Sequence, residues 1–250
     1  MKKNAGTVGQ PKRTDAYRML SSFDSNHTFV LAFDYRGFGR TKGSPTEIGV
    51  LDDAITVVNW ALEVARVPSR RIVFVSQSLG TAIASATASH FIDQTPKIEF
   101  AGIFLCAAFV DAPTAFQNYS IGGVVPLLAP LRVLPPLRNW FVRQFPDPWK
   151  TSDRTQNLVR KSDRLRLTFV HATNDMTIPP SQTDELFYMA VDAAQDGGLT
   201  NQEIDERKET IDLGDGGWTH SWTSGDKVIR KDILLQGGTE TGSLILNLGC

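Results

Sequence analysis

Residues 71–92 read RIVFVSQSLGTAIASATASHFI, and the fold follows from how this stretch changes character at its seventh and eighth positions. Arg71–Ser76 is a short run of β-branched and aromatic residues, the pattern of a buried strand. Leu79–Ile92 is an uninterrupted alanine-rich helical stretch that begins after only two intervening residues. A strand-to-helix turn that tight holds its middle residue, Ser78, in a strained conformation. Its Oγ is then exposed, and the N–H of Leu79 turns toward the same space. Gly80 supplies the small residue that lets the helix approach the strand, while Ser76 stands where a second glycine would complete the pattern. The skeleton S-x-S-x-G by itself would arise roughly 0.1 times by chance in a chain of this length at average residue frequencies. Its specificity therefore comes from the strand before it and the helix after it. The competing assignment for Ser78 is an ordinary helix N-cap.

Outward from this turn, apolar runs alternate with amphipathic ones. Thr28–Phe33, Phe100–Val110, Leu165–His171 and a shorter Thr210–Leu213 read as further strands, and Glu47–Ala65, Gln182–Ala194 and Asp226–Leu235 read as helices. Strands alternating with helices, several of them apolar on both faces, specify an α/β fold with a mostly parallel sheet and flanking helices. Residues 1–111 and 164–236 form the two parts of that core. Between them Ala112–Asp163 carries no strand pattern but many prolines and apolar residues, so it is expected to be a helical lid. The alternative is a pair of helices packed on the sheet. Residues 237–250 form a tail.

The chain has 250 residues, 26 basic and 27 acidic side chains and a net charge of -1, which leaves no electrostatic footprint for nucleic acid. Two cysteines, Cys106 in an apolar run and Cys250 at the end, make neither a disulfide framework nor a metal cluster. No apolar run is long enough to span a bilayer, and no apolar segment follows Met1-Lys2-Lys3 as a signal peptide would require.

A nucleophilic serine needs a base, and the base an orienting acid. His27 precedes a strand, His90 lies late in a helix and His171 ends a strand, which leaves His220, in the loop Gly216–His220, as the expected base. Asp175, after the strand Leu165–His171, is the expected acid, and Asp111 is its rival. Serine, then aspartate at the end of a later strand, then histidine in a final loop is the chain order of the α/β-hydrolase triad.

With these residues in place the sequence resembles the α/β-hydrolase superfamily. Asp34-Tyr35-Arg36-Gly37-Phe38-Gly39, with Thr41 and Gly43-Ser44-Pro45, is similar to the D-x-R-G-x-G-x-S turn after the superfamily's fourth strand. His171-Ala172-Thr173-Asn174-Asp175 departs from the usual H-G-x-x-D at Ala172. Within the superfamily the likeness is to lysophospholipid and monoacylglycerol lipase-type serine hydrolases, and it covers residues 4–236. The resemblance implies a serine ester hydrolase without metal or cofactor, acting on a lipid-like acyl ester through Ser78, Asp175 and His220. It further implies Leu79 N–H and a donor at Asn4 as the oxyanion hole, and a membrane association carried by a region outside this chain. Leu127, Leu128, Leu131, Leu134 and Phe141 of the lid are the expected acyl contacts. A thioesterase or peptidase with the same triad, and a non-catalytic protein of the same fold, are the alternatives. Asn4-Ala5-Gly6 matches the end of the family's H-G-N-A-G loop, with Lys2-Lys3 in place of His-Gly. The family's first three strands are therefore expected to be missing. Thr28–Phe33 is in turn expected to be separated from Arg71–Ser76 or paired with it abnormally.

Overall fold

A computed structural model describes residues 7–22, 24–117, 120–121, 125–126, 148–195 and 197–235. The elements run α1 (Pro11–Ser22), α2 (Glu47–Asn59, extended by a π-helical turn Trp60–Val64), β1 (Val73–Gln77), α3 (Leu79–Ile92), β2 (Gly102–Cys106), α4 (Ala112–Gln117), β3 (Ser120–Ile121), β4 (Val125–Pro126), α5 (Thr151–Lys161), β5 (Leu165–Ala172), α6 (Pro180–Ala193), α7 (Asn201–Arg207), β6 (Glu209–Asp212), β7 (Gly217–Ser224) and β8 (Lys227–Leu234).

Among the described residues the main sheet has six strands in the order β1-β2-β5-β8-β7-β6. The first four are parallel, whereas β7 runs antiparallel to β8 and β6 antiparallel to β7. Parallel strands covered by helices read as continuous apolar runs, and β5 (LRLTFVHA) is buried at every position except Arg166. The core joins Ile103, Leu105, Leu167, Phe169 and Ile229 of the sheet to Ala88 and Ile92 of α3, Leu158 and Val159 of α5, and Leu186, Phe187 and Ala190 of α6. Small residues on α3 allow close packing, and Asn157 Nδ2 of α5 donates to Ser89 Oγ at 2.7 Å across the helix pair.

Four expectations change. Thr28–Phe33 forms no strand: its apolar side chains, with Phe29 88% exposed, have no ladder to join among the described residues. Among the described residues β1 is the edge of the sheet, and Val73 and Val75 on it are exposed. Asp226–Leu235, expected as a helix, is strand β8. The loop expected at Gly216–His220 instead enters β7. The two strands are joined through Gly225 and Asp226, with Ser224 paired to Lys227 and Gly225 at φ +56°. A two-residue turn with glycine at positive φ is a hairpin signal, and this register overrides the helical spacing of Val228, Ile229, Ile233 and Leu234. Finally, α5 belongs to the body of the domain and not to a lid. The excursion that starts after β2 closes where Ala112 N donates to Pro148 O at 2.9 Å and Ser152 N to Val110 O at 3.1 Å. Leu127, Leu128, Leu131, Leu134 and Phe141, like Asn4 and the tail, lie outside the described residues.

Candidate active site

The turn between β1 and α3 has the geometry expected for it. Ser78 sits at φ +53°, ψ −125°, a conformation that costs a non-glycine residue about 1–3 kcal/mol and persists only where its surroundings enforce it. Both sides of the residue are held. Ser78 N donates to Cys106 O at 3.0 Å, while Ser78 O accepts from Thr81 N at 2.8 Å and from Thr81 Oγ1 at 2.7 Å. Ser78 does not cap the helix with its side chain, so the N-cap alternative falls. Leu79 opens α3, and its N–H is among the four that helix geometry leaves without an intrahelical acceptor. The N-terminal end of the helix dipole adds a field that favours negative charge there. Ser76 replaces glycine without penalty, since its hydroxyl donates to Phe104 O at 3.1 Å. A Cβ on Gly80 would meet Ser76 Cβ at an ordinary 3.6 Å.

Asp175 follows β5 and lies at the same carboxyl edge of the parallel strands. It is 7% exposed, and its Oδ1 accepts from Thr177 N at 2.8 Å and Ile178 N at 3.1 Å. Burial pushes its pKa up, but contact with His171 and the two N–H groups outweighs that and holds the carboxyl below its ordinary range. Asp111, the rival acid, is used locally: its Oδ1 accepts from Thr114 N at 2.7 Å at the start of α4.

His220 is not brought to Ser78. It pairs with Lys231 in the β7–β8 ladder, Lys231 with Phe169, Phe169 with Leu105, and Leu105 with Ser76. Four strand spacings of about 4.8 Å put it about 19 Å across the sheet from Ser76, beyond the combined reach of a serine and a histidine side chain. The expected convergence of Ser78, Asp175 and His220 is corrected accordingly. The physical cause is the hairpin, which draws the last histidine into a strand at the far side of the sheet. There His220 Nδ1 lies 2.9 Å from Thr210 Oγ1. Burial, with the nearby Lys208 and Lys231, presses its pKa down to about 4. The remaining histidines have partners elsewhere as well: His27 with Asp24, His90 with Gln94, and His171 with Thr183 and Ile178.

His171 is the functional candidate the sequence left unassigned. Its place at the end of a strand buried at all but one position, next to the acid's turn, is the available signal. The D-Y-R-G-F-G segment is an architectural clasp, in which Arg36 makes a two-pronged ion pair with Asp53 of α2 and Asp34 Oδ1 accepts from Val8 N at 2.8 Å. Cys106 is buried, its thiol pushed up to about 12, and is no nucleophile. Among the described residues no group of three His, Cys, Asp or Glu could hold a metal ion, and no helix is long and apolar enough to cross a membrane.

A family model described as "Alpha/beta hydrolase family" matches residues 14–213. The chain is similar to the lysophosphatidylserine lipase ABHD12 of Gallus gallus, at 29% identity over 191 residues covering 75% of this chain and 45% of that protein. It matches the Danio rerio enzyme of the same name at 35% over 91 residues (36% of this chain and 22% of that protein). Protein bem46 of Schizosaccharomyces pombe is 26% identical over 184 residues, covering 74% of this chain and 52% of that protein. The chain thus spans about half or less of these relatives. Among solved structures, an alpha-beta hydrolase from Vibrio vulnificus aligns with a TM-score of 0.53 at 16% identity, over 70% of this chain and 58% of that one. Alpha/beta hydrolase domain-containing protein 10 from mouse aligns at 0.50 and 15%, over 97% and 82%. At these identities the two structures speak to the fold alone.

Proposed function

The chain belongs to the alpha/beta hydrolase family, and on that premise we propose that it is a serine hydrolase for carboxylic esters of lipid-like substrates, of the lysophospholipid or monoacylglycerol type. The observation that carries this reading is the strained turn at Ser78. Ser78 Oγ attacks the ester carbonyl as its proton passes to solvent water, and the N–H of Leu79 receives the developing oxyanion, a donor of a kind worth about 10² to 10³ in rate. The alcohol leaves as the acyl–Ser78 ester forms, and water then hydrolyses that ester to the acid and free Ser78. Asp175 stands at the same edge as the acid that would orient an imidazole. The lipid character of the substrate rests on the relatives' names and on the apolar composition of residues 113–147, whose flanking residues Ala112 and Pro148 are hydrogen-bonded to each other.

A complete Ser78–Asp175–His220 triad would require His220 to leave the β7 ladder. Without an imidazole at Ser78 the expected rate falls far below that of an intact triad, by about 10⁶ where a catalytic histidine has been removed in subtilisin. An activated aryl ester, whose leaving group needs no proton, is then the substrate on which Ser78 chemistry shows first.

The distance of His220 favours a second reading, a protein of this fold that binds acyl esters without turning them over. Hydrolysis of nitrophenyl esters of two to ten carbons by the native chain and by Ser78→Ala separates the two. The hydrolase reading expects turnover that disappears in Ser78→Ala and rises with acyl length. Equal rates in both proteins would leave the binding reading.

A further inference from the structure

We propose that His171 is a positioning residue that clamps Asp175 at the carboxyl edge of β5 and couples it, through Thr183, to the chain that leaves β2 beside Ser78. This rests on Asp175 as the acid of the site, but it is tested without turnover.

The His171 ring is 1% exposed, and both of its nitrogens are engaged. Nε2 lies 2.9 Å from Ile178 O, and Nδ1 lies 2.6 Å from Thr183 Oγ1. A carbonyl oxygen only accepts, so Nε2 carries a proton. The same Nε2 faces Asp175 Oδ2 at 3.5 Å. One N–H therefore points at both ends of the turn 175–178, whose middle is tied by Asp175 Oδ1 to the N–H groups of Thr177 and Ile178. The ring acts as a wedge that fixes where the carboxylate stands.

What fixes the ring is α6. With Nδ1 unprotonated, the single hydroxyl proton of Thr183 goes to Nδ1 at 2.6 Å, and Ala108 O at 3.1 Å is a contact. One residue earlier Gln182 Oε1 accepts from Val110 N at 3.1 Å and ties α6 to the chain after β2. Ala107, directly before Ala108, donates its N–H to Val170 O of β5, and Cys106 accepts from Ser78 N. A run of contacts thus leads from the Ser78 backbone through Cys106–Val110, by the bond from Val110 N to Gln182 Oε1, to α6 and Thr183, and from Thr183 to the His171 ring, which stands 3.5 Å from Asp175 Oδ2. Nucleophile and acid are held in one frame although they are two strands apart. A histidine buried only for packing would not need both nitrogens matched to partners from two different elements.

The test is a carbon-13 titration of the Asp175 carboxyl in the full chain, together with two-bond proton–nitrogen spectra of the histidine rings. Compared are the native protein, His171→Leu, His171→Gln and Thr183→Val. In His171→Leu the Asp175 midpoint rises by about one unit or more, the scale of a lost favourable partner. His171→Gln, which can present an amide N–H near the Nε2 position, restores most of the native midpoint. Thr183→Val breaks the single Nε2–H tautomer of His171 into a mixture. An unmoved midpoint in His171→Leu overturns the proposal, as does failure of His171→Gln to restore it in a folded protein. If His171→Leu does not fold, Thr183→Val decides, and an unchanged His171 tautomer there overturns the proposal. Each readout holds whether or not Ser78 turns over an ester.

Discussion

Replacing Ser78 by glycine should make the protein more stable than replacing it by alanine. Both substitutions remove Oγ, so the comparison isolates the backbone. At φ +53°, ψ −125° a residue with a Cβ carries about 1–3 kcal/mol of strain, and glycine carries almost none. Against that gain stands the larger backbone entropy of glycine in the unfolded chain, about 0.5–1 kcal/mol relative to alanine. The difference leaves Ser78→Gly ahead by about 1 kcal/mol, or about 2–4 °C in Tm for a domain of this size. The bonds that enforce the strain, Ser78 N to Cys106 O and the two from Thr81 to Ser78 O, use only the backbone of residue 78 and survive both changes. Thermal melts and guanidinium titrations of the two variants side by side give the answer. If Ser78→Ala equals or exceeds Ser78→Gly in stability, residue 78 does not occupy a strained turn and the nucleophile assignment loses its structural basis.

Other expectations follow from single contacts. His220 has a folded-state pKa of about 4, below its ordinary 6.5, so its neutral form is favoured by folding. Its contribution is complete above pH 6.5 and is lost as pH falls toward 4. Denaturation midpoints of His220→Gln should therefore fall less steeply over that window than those of the native chain. Gly217→Ala would set a Cβ against Ile233 O at φ +120° and should cost on the order of 3 kcal/mol or prevent folding, as read by denaturant titration. Gly80→Ala, whose Cβ meets only ordinary contact, should leave stability unchanged or raise it by up to about 1 kcal/mol in the same titration.

What was legible in the sequence was local. The β1–α3 turn is decided within ten residues by an apolar run, two connecting residues and an alanine-rich helix, and α3 begins and ends where the pattern places it. The strands β2 and β5 are legible because burial on both faces makes β2 continuously apolar and β5 apolar at most positions. The β7–β8 hairpin was not, because Val228, Ile229, Ile233 and Leu234 satisfy a helical spacing as well as a strand. What chooses between them is the ladder to Leu165–Ala172, more than fifty residues away. That one choice also moved His220, since a histidine expected at the end of a loop became the fourth residue of a strand. Thr28–Phe33 failed for the opposite reason: its β-forming residues are unambiguous, but a strand needs a neighbour and none is available to it among the described residues. Ser78 and Asp175 keep their assigned places because each is set by the carboxyl end of a parallel strand, β1 and β5, whereas the base depends on a partnership that sequence order cannot specify.

Ser78 as nucleophile, with His220 at the far side of the sheet and not its base, makes a sharp kinetic distinction between the two residues. Hydrolysis of a nitrophenyl ester by the native chain, Ser78→Ala and His220→Gln measures that distinction. The expected result is a slow rate that vanishes in Ser78→Ala and is unchanged in His220→Gln. A rate lost equally in both variants would bring His220 to Ser78 in solution and contradict the arrangement described, and a rate untouched by Ser78→Ala would remove Ser78 from the chemistry.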